Sequence, residues 1–307
     1  MSDCKLTIFT PTKDRGYIIG DCYQSLIEQT YKNFIWLIVD DGSTDNTEEI
    51  IGSFIAENKI EIMYIKQKNS GKHVAHNTGV LNCKTDLFVC LDSDDTLAPN
   101  AVESIYDNLE TVFNDNLLAG IMALKKNRNI NTQPLKSCFP TNIERSSIRE
   151  LYETFHFVGE IFLVFKTNIL KQFLFPVFPG EKFVTEAVVY DQISEKYKML
   201  LLNEVLYIYE YLDDGYSKNI NLINIQNPHG YMYFYEQRIK MAHGIKNKYD
   251  AISRYISACI TIKDLSFFWN CNNSFLKIVC IPNGIWLFLK PKIKKQLSKY
   301  KLISNSL

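Results

Sequence analysis

Three carboxylates stand within four positions at the end of an apolar run. The run, Leu87–Leu91, is followed by Asp92, Asp94 and Asp95. It is rich in strand-forming residues, so it predicts a buried strand that delivers acidic side chains to its own end. Carboxylates this close repel one another, and a bound Mg2+ or Mn2+ removes that cost while keeping sites for water and substrate phosphates. The alternative is an acidic loop in which Asp95 or Thr96 caps the next helix.

Polar residues follow two earlier apolar runs in the same way. Lys5–Thr10 is a β-branched run, and we expect it to end there because Pro11 cannot continue a central strand. Residues 10–15 are therefore predicted to form a loop. Phe34–Val39 predicts a second buried strand, and the acidic stretch at 40–45 follows it directly.

Strands and helices alternate through this first part of the chain. The predicted elements after the first strand are a helix at 17–29, the second strand, a helix at 47–58, a strand at 61–65, a polar loop at 66–77, a short helix at 77–82 and the strand before Asp92. This alternation implies parallel strands joined by right-handed crossovers. The three polar loops would then share one carboxyl edge of the sheet, where open α/β sheets bind ligands.

The pattern is less regular after residue 100. The predicted elements there are a helix at 100–109, strands at 117–124, 162–165 and 199–209, loops at 125–147 and 178–186, helices at 167–173 and 187–197, a turn at Asp214-Gly215, and mainly helix from residue 225. No internal repeat is present.

Composition and charge narrow the class of protein. With 307 residues, 46% of them hydrophobic, the chain can bury a globular core. Eight scattered cysteines without a CxxC pair, and no secretory leader before Lys5, favour reduced thiols in the cytoplasm. The net charge is zero, but the part of the chain from Lys240 onward contains twelve basic residues and only two acidic ones. The C-terminal part thus favours an anionic partner, and the acidic remainder argues against nucleic-acid binding.

One apolar segment, Lys277–Leu289, precedes six lysines at 290–301. It is shorter than the roughly 20 residues of a spanning helix, and Pro282 and Gly284 interrupt it. Two interpretations stay open: an anchor on an anionic membrane surface, or a buried helix with a solvated basic end.

The predicted strand exits and the polar loop contain four blocks of sequence, in order LTIFTPTKDR, IVDDGSTDNT, NSGKHVAHNTG and LDSDD. These blocks resemble the nucleotide-binding half of family 2 glycosyltransferases with the GT-A fold. The later blocks FPGEKFVTEA and YLDDGYS resemble bacterial capsule and surface-polysaccharide members. The resemblance implies an α/β, Rossmann-like and mostly parallel sheet flanked by helices. It also implies a GT-A domain at 1–220, divided into a nucleotide-binding half at 1–110 and an acceptor half at 111–220, with a helical C-terminal region at 221–307.

The resemblance also implies roles for individual residues. The implied donor contacts are Thr10, Pro11, Thr12 and Arg15 in the nucleotide pocket; Asp40 and Asp41, with Asp41 accepting the uracil N3 proton; Lys68, Asn69, Gly71 and Lys72, supported by Asn77; and Asp92, Ser93 and Asp94 beside the ribose and donor. Asp94 and Asp95 would bind Mn2+ or Mg2+, which bridges the diphosphate of a UDP-sugar and assists its departure. Lys13 and Asp14 depart from the family pattern.

Inverting transfer also needs a base that takes the proton of the acceptor hydroxyl. The resemblance places Glu186 at that position, near the start of a helix, and Asp191 and Glu181 are the neighbouring alternatives. The implied acceptor is a saccharide or a lipid-linked saccharide.

Two other functions are compatible with parts of this pattern. Asp92, Asp94 and Thr96 also satisfy the DxDxT pattern of haloacid-dehalogenase-like phosphatases, although that fold carries its nucleophile on the first core strand. A non-catalytic, membrane-docked binder of sugar nucleotides is the other alternative, and only turnover distinguishes it from an enzyme.

Overall fold

A mixed sheet with helices around it forms the body of the protein. The computed structural model describes residues 4–129, 138–211, 216–242, 244–264 and 274–304. Its strands are β1 (Leu6–Thr12), β2 (Phe34–Asp40), β3 (Glu61–Lys66), β4 (Leu87–Cys90), β5 (Thr96–Leu97), β6 (Leu118–Asn127), β7 (Arg145–Ser146), β8 (Ile161–Lys166) and β9 (Lys198–Tyr209).

The helices fall between and after these strands. They are α1 (Ile19–Ile27), α2 (Thr47–Glu57), α3 (Lys72–Asn82), α4 (Ala101–Asp107), α5 (Leu109–Asn114), α6 (Ile148–Glu153), α7 (Thr167–Leu170), α8 (Ala187–Ser194), α9 (Tyr216–Gln226), α10 (Pro228–Met241), α11 (Ile245–Ile262) and α12 (Ser274–Ser304).

The sheet has a parallel half and a mixed half. Its order is β3-β2-β1-β4-β8-β6-β9-β5, and β7 pairs with β9. The first four strands in this order are all parallel, as predicted. Beyond β4, however, β8 is antiparallel to both its neighbours, and β5 and β7 are antiparallel to β9. In the same half β6 and β9 are again parallel, so the predicted α/β sheet is parallel in its first half and mixed in its second.

Strand β1 lies at the centre of the parallel half and is buried along its whole length. It continues through Pro11 to Thr12, whereas the sequence predicted its end at Thr10. The reason is the direction in which successive peptide groups point. Phe9 accepts a hydrogen bond from the β4 side and Thr12 from the β2 side, so Pro11 faces β4, which stops pairing at Phe9. The missing proline N–H thus removes no bond from the sheet.

Helix α3 begins at Lys72, five residues before the predicted start. Gly71 precedes it with φ at 99°, a conformation that glycine adopts without strain. Residues 72–76 look polar in the sequence, so the first part of this helix was predicted as a loop. His73 and His76 are buried, and the ring of His76 packs 5.1 Å from that of Phe175 and 5.4 Å from that of Phe88. The two histidines therefore serve the core and do not belong to a polar loop.

Two further boundaries differ from the prediction. Strand β6 runs to Asn127, beyond the predicted loop start at 125, because it keeps pairing with β9 up to Tyr209. Helix α8 ends at Ser194, three residues before the predicted end. The predicted turn at 214–215 lies outside the described residues.

The chain divides into two compact units. Unit 1 contains residues 1–175 and 189–212, and unit 2 contains residues 176–188 and 213–307. The sequence had predicted a single boundary at 220. Residues 176–188 belong to unit 2 because Glu181 accepts hydrogen bonds from the backbone amides of His229 and Gly230 at the start of α10.

Three helices, α10, α11 and α12, form the core of unit 2. Ile252, Ile256 and Cys259 of α11 cluster with Cys280 of α12. Helix α12 continues through Pro282 and Gly284, where the sequence suggested a break. A Cβ on Gly284 would lie 2.6 Å from Ile256 Cγ2, so glycine allows the two helices to approach closely. No helix in the described ranges has both the length and the apolar character needed to cross a membrane.

Candidate active site

The carboxyl edge of the parallel half brings together loops that are far apart in sequence. Asp41 N donates to Thr12 O, and Leu91 N donates to Phe9 O, each at 2.8 Å. These bonds place the segments that follow β1, β2 and β4 side by side. The predicted convergence of the three polar exits is therefore present within unit 1.

Asp41 organises the loop between β3 and α3. Its Oδ1 accepts from Gln67 Nε2 and Ser70 N, both at 2.8 Å, and its Oδ2 accepts from Gly71 N at 2.7 Å. A carboxylate oxygen can accept two hydrogen bonds, so Oδ2 keeps one acceptor position. Asp41 thus shapes the loop and still has capacity for a ligand donor.

Gly42 brings the same loop close to the strand exit. Its φ is +78°, and a Cβ there would lie 2.9 Å from Asn69 N. Lys68, one residue earlier, is exposed on this loop. The implied loop residues are therefore held against the exit of β2.

Asp40 is occupied inside the fold. It is fully buried, its Oδ1 accepts from Ser43 N at 2.7 Å, and its Oδ2 accepts from Tyr64 Oη at 2.7 Å. The structure therefore gives Asp40 a role in fixing the turn after β2 and not the direct contact with a nucleotide that was predicted.

The two residues that depart from the family pattern stabilise the neighbouring loop. Asp14 has φ at 52°, and its Oδ1 accepts from Thr44 N at 2.8 Å. Hydrogen bonding to Lys13 and to the Thr44 amide lowers the pKa of Asp14 to about 2. Arg15 N in turn donates to Thr47 Oγ1 at 3.0 Å. The loops after β1 and β2 are thus tied together, which fixes the backbone at Arg15.

Asp92 forms an ion pair with the first residue of α3. Lys72 Nζ lies 2.8 Å from Asp92 Oδ1 and 2.9 Å from Oδ2. Burial by itself raises the pKa of Asp92, but the ammonium groups of Lys72 and Lys125 outweigh it and hold the pKa below its usual value. Since Gly71 binds Asp41 and Lys72 binds Asp92, the start of α3 links the two acidic exits.

Asp94 has a different environment. It is half-buried, and burial together with the nearby Asp92 charge raises its pKa, while Arg15 and Lys72 act in the opposite direction. In the described part of the chain, no other residue donates a hydrogen bond to its carboxylate. Asp94 is therefore the acid at this edge whose oxygens remain available.

Asp95 is held by hydrogen bonds from strand β9 and from the residue that follows it. Its Oδ2 accepts from Tyr207 Oη at 2.7 Å, and its Oδ1 accepts from Glu210 N at 3.2 Å. Burial and the charge of Asp92 raise the pKa of Asp95 to about 7. Each oxygen thus has one partner within the fold and keeps one acceptor position, so Asp95 is more engaged than Asp94, and its role as a metal ligand stays a prediction.

A divalent cation fits the remaining donor set when a substrate supplies phosphates. Among the described residues, no three or more His, Cys, Asp or Glu side chains form a group that could hold a metal by themselves. Mg2+ in particular is commonly bound through one or two carboxylates together with phosphate oxygens and water. Asp94 can supply the one carboxylate that such a site requires.

The other predicted donor contacts separate into core and edge residues. Thr10 is buried, and its Oγ1 accepts from Trp36 Nε1 at 2.9 Å, so its side chain is engaged in the core. Asn77 makes two 2.9 Å hydrogen bonds to the backbone of Phe175 and supports the chain there. By contrast, Thr12 Oγ1 is buried with no hydrogen-bond partner among the residues that the structure describes. Pro11 and Ser93 are also buried.

Two residues of this region had no signal in the sequence. Tyr207 on β9 donates to Asp95 and accepts from Asp92 N at 3.1 Å, and Lys125 Nζ lies 3.8 Å from the centre of the Tyr207 ring. Tyr207 is 112 positions from Asp95. It stands in an ordinary strand pattern, so local sequence analysis could not have found it.

The three candidate bases also differ in environment. Glu181 is buried, with its carboxylate bound to the α10 amides and to His229 Nδ1 at 2.7 Å. Asp191 is buried on α8, whereas Glu186, which directly precedes α8, is exposed. Glu186 is thus the one of the three whose side chain reaches solvent.

Comparison with known proteins gives the family. The model for glycosyl transferase family 2 matches residues 7–174, which is more than half of the chain. Glycosyltransferase GlyA of Streptococcus pneumoniae serotype 4 is 37% identical over 107 residues, covering 35% of this chain and 15% of GlyA. Chondroitin synthase of Escherichia coli is 38% identical over 102 residues, covering 33% of this chain and 15% of the synthase. The aligned region is thus a small part of each of these relatives.

Solved structures share the fold. The superposition on S. aureus TarS 1-349 covers 92% of this chain and 81% of the TarS chain, with a TM-score of 0.58 and 15% sequence identity. Mannosyltransferase PcManGT from Pyrobaculum calidifontis, in complex with GDP-Man and Mn2+, covers 94% and 84%, with a TM-score of 0.55 and 15% identity. Since the family match includes the Asp92–Asp95 segment, the phosphatase interpretation of that segment is not supported. Because the family model matches more than half of the chain, this chain belongs to glycosyl transferase family 2.

Proposed function

We propose that the enzyme transfers a sugar, with inversion at the anomeric carbon, from a UDP-sugar to a saccharide or lipid-linked saccharide acceptor. The observation that carries this proposal is the junction at the start of α3. There Gly71 binds Asp41, Lys72 binds Asp92, and the charges of Lys72 and Arg15 act on Asp94. The same sheet edge thus carries a hydrogen-bond acceptor for the nucleotide base (Asp41), two cationic side chains (Lys72 and Arg15) and two further carboxylates (Asp92 and Asp94). These are groups that suit a nucleoside diphosphate, and this edge is where such sheets bind ligands.

The free acceptor position on Asp41 Oδ2 supports uridine as the base. An imide N–H is a donor, and a carboxylate is a strong acceptor for it. TarS in complex with UDP and with UDP-GlcNAc has the same fold, whereas PcManGT carries GDP-Man. The carboxylate chemistry at Asp41 is therefore the argument for uridine. The Thr12 hydroxyl, buried with no hydrogen-bond partner among the described residues, is a second polar group for a nucleotide at this edge.

Asp94 is the proposed protein ligand of Mn2+ or Mg2+. When bound, such a cation neutralises the charge that develops on the departing diphosphate. Arg15 and Lys72 would add fixed positive charge to the same region. Lys72 would at the same time hold Asp92 in place beside the ribose and donor sugar.

Glu186 is the proposed catalytic base. Its side chain is exposed, while Glu181 is committed to capping α10 and Asp191 is buried. Deprotonation of the hydroxyl as it attacks the anomeric carbon is the role that inversion assigns to such a group.

The acceptor class follows from the resemblance to enzymes of surface polysaccharide synthesis. We place the reaction on the cytoplasmic face of a membrane, at an anionic lipid surface, because the C-terminal region is strongly basic. This proposal includes no nucleic-acid partner.

The test is a screen of sugar nucleotides, with and without Mn2+, that measures both nucleotide release and sugar transfer. We expect metal-dependent turnover with a UDP-sugar, and a loss of at least about 100-fold in Asp94→Asn, since Lewis-acid assistance is worth several kcal/mol. Asp86→Asn is a matched control, because Asp86 lies at the opposite end of β4 and its carboxylate pairs with Lys5. Binding of UDP-sugars without any turnover would support the non-catalytic alternative instead.

A further inference from the structure

Helix α12 has an apolar face that is exposed among the residues that the structure describes. Lys277, Cys280 and Gly284 lie on its buried side, and Cys280 and Gly284 meet α11. The exposed apolar residues lie opposite; we call them the α12 stripe: Phe275, Ile278, Val279, Pro282, Ile285, Trp286 and Leu289. At 100° per residue they occupy an arc of about 120°, which is the width of an amphipathic face.

The stripe is long and strongly exposed. Phe275 is 81% exposed, Ile278 66% and Trp286 53%. From Phe275 to Leu289 the stripe measures about 21 Å along the helix axis. Exposed apolar residues that occur singly need no explanation, but a contiguous face of this kind marks an interaction surface.

The charge around the stripe identifies the kind of partner. Six lysines occur at 290–301, within the same helix, and α12 contains no acidic residue. A second copy of the chain would bring six more lysines and no acid on α12 to pair with them, so self-association along this face would add repulsion. An anionic bilayer satisfies both features, because it takes up an apolar face and attracts lysines.

We infer that α12 docks the protein on an anionic lipid bilayer. The stripe enters the boundary between headgroups and acyl chains, with Trp286 among the residues that enter, and the basic C-terminal part of the helix lies against anionic headgroups. This assigns membrane contact to one face of one helix. It is independent of the donor chemistry proposed for unit 1.

The experiment measures co-sedimentation of the full-length protein with vesicles. Vesicles of phosphatidylcholine with phosphatidylglycerol are compared with vesicles of phosphatidylcholine alone. We expect binding to the anionic vesicles alone, with a loss of binding between about 0.1 M and about 1 M salt as the Debye length falls from about 10 Å to about 3 Å. Each lysine near the surface contributes about fivefold in partition.

Substitutions in the stripe test the orientation. Ile278→Gln combined with Trp286→Gln should lower partition onto anionic vesicles by at least about tenfold, because two apolar side chains no longer enter the bilayer. The control is Ile245→Gln on α11, where an isoleucine that is 77% exposed lies outside the stripe. It should bind vesicles as the wild type does.

Fluorescence supplies a second measurement. Lipids with brominated acyl chains should quench Trp286, and Trp286→Phe should remove that component of the quenching. Nucleotide release without vesicles should be unchanged in all these variants, so a failure of docking and a failure of the catalytic proposal are distinguishable.

Three outcomes would overturn the inference. The first is full-length protein that ignores anionic vesicles at low salt. The second is a stripe variant that binds as well as Ile245→Gln. The third is a wild-type dimer that Ile278→Gln converts to a monomer in analytical ultracentrifugation, which would make the stripe a contact between copies.

Discussion

Asp92, Asp94 and Asp95 are close in sequence, but burial and neighbouring charge give their carboxylates different partners. Lys72 neutralises Asp92, Tyr207 and the Glu210 amide occupy Asp95, and Asp94 is left between them with its pKa raised. A carboxylate whose charge is destabilised and whose oxygens are available gains most from a cation. One protein carboxylate would then suffice for the proposed cation.

Asp41 gives a prediction about the nucleotide base. Asp41→Asn should weaken UDP binding by about 1.5–3 kcal/mol, the range for a hydrogen bond to a charged group. Calorimetry with UDP measures the effect. Gln67→Ala is the matched control, because it removes one donor to Asp41 and leaves the carboxylate in place. Equal UDP affinity for Asp41→Asn and wild type would exclude a contact between Asp41 and the base.

Glu186 gives a prediction about the acid-base step. Glu186→Gln keeps the size of the side chain but cannot accept a proton, so the transfer rate should fall by at least about 100-fold while UDP affinity is retained. Single-turnover transfer and UDP titration measure the two quantities.

The comparison variant for this step is Asp191→Asn. Because Asp191 is buried on α8, its substitution should affect thermal stability more than transfer. Normal transfer by Glu186→Gln together with inactive Asp191→Asn would assign the base to Asp191.

The sequence was sufficient to predict which acidic residues lie at the site, but not which partners each carboxylate binds. Asp41, Lys72, Asp92 and Asp94 were singled out and do converge, because strand exits follow from local patterns and parallel pairing. The tasks of Asp40 and Asp95 could not be predicted, since each is set by a tyrosine on another strand. Such partners depend on tertiary packing and leave no trace in local spacing.

Strand β9 supports the site from the mixed half of the sheet. Its Tyr207 hydroxyl bridges Asp95 and the backbone of Asp92. Tyr207→Phe should lower the free energy of unfolding by about 1–3 kcal/mol, because buried polar groups lose their partner. It should also raise the KM for the donor, since the Asp92–Asp95 turn would be less well fixed.

The matched control for Tyr207 is Tyr23→Phe. Tyr23 is buried and also donates to a carboxylate, Glu57, at 3.0 Å, but between α1 and α2. The Tyr23→Phe variant should be less stable than the wild type, with an unchanged KM for the donor. Denaturant titration and donor kinetics separate the two effects, and equal KM values for both variants would leave Tyr207 with a purely structural role.

The elements of the fold were predictable where the apolar period was clear. β1, β2, β4 and α2 follow directly from such periods. The end of β1 was predicted too early because the effect of Pro11 depends on which side of β1 is paired. The start of α3 was predicted five residues too late because His73 and His76 look polar but pack as aromatic rings. Both errors come from tertiary context that overrides local propensity.

The molecule as a whole should not need a metal in order to fold. Since the described residues contain no assembled group of metal ligands, EDTA should leave the thermal midpoint of the ligand-free protein unchanged and abolish transfer reversibly. Donor and Mn2+ together should stabilise the protein by about 2.7 kcal/mol at 100 times the Kd of the donor. Calorimetry in both states provides the measurement, and a large shift of the ligand-free midpoint by EDTA would point to a structural metal.

The capping contact of Glu181 has a consequence for the order of events on the ribosome. Its partners, the amides of His229 and Gly230, lie 48 and 49 positions later in the chain. At about 5–20 residues per second, Glu181 waits roughly 2–10 s after its own synthesis before those amides exist. During that interval the ribosome adds residues 189–212, which contain β9 and complete the chain of unit 1. Residues 176–188 therefore cannot form these contacts with α10 until the last strand of unit 1 has been made, and we expect the nascent segment to stay open to a protease or a chaperone during that interval.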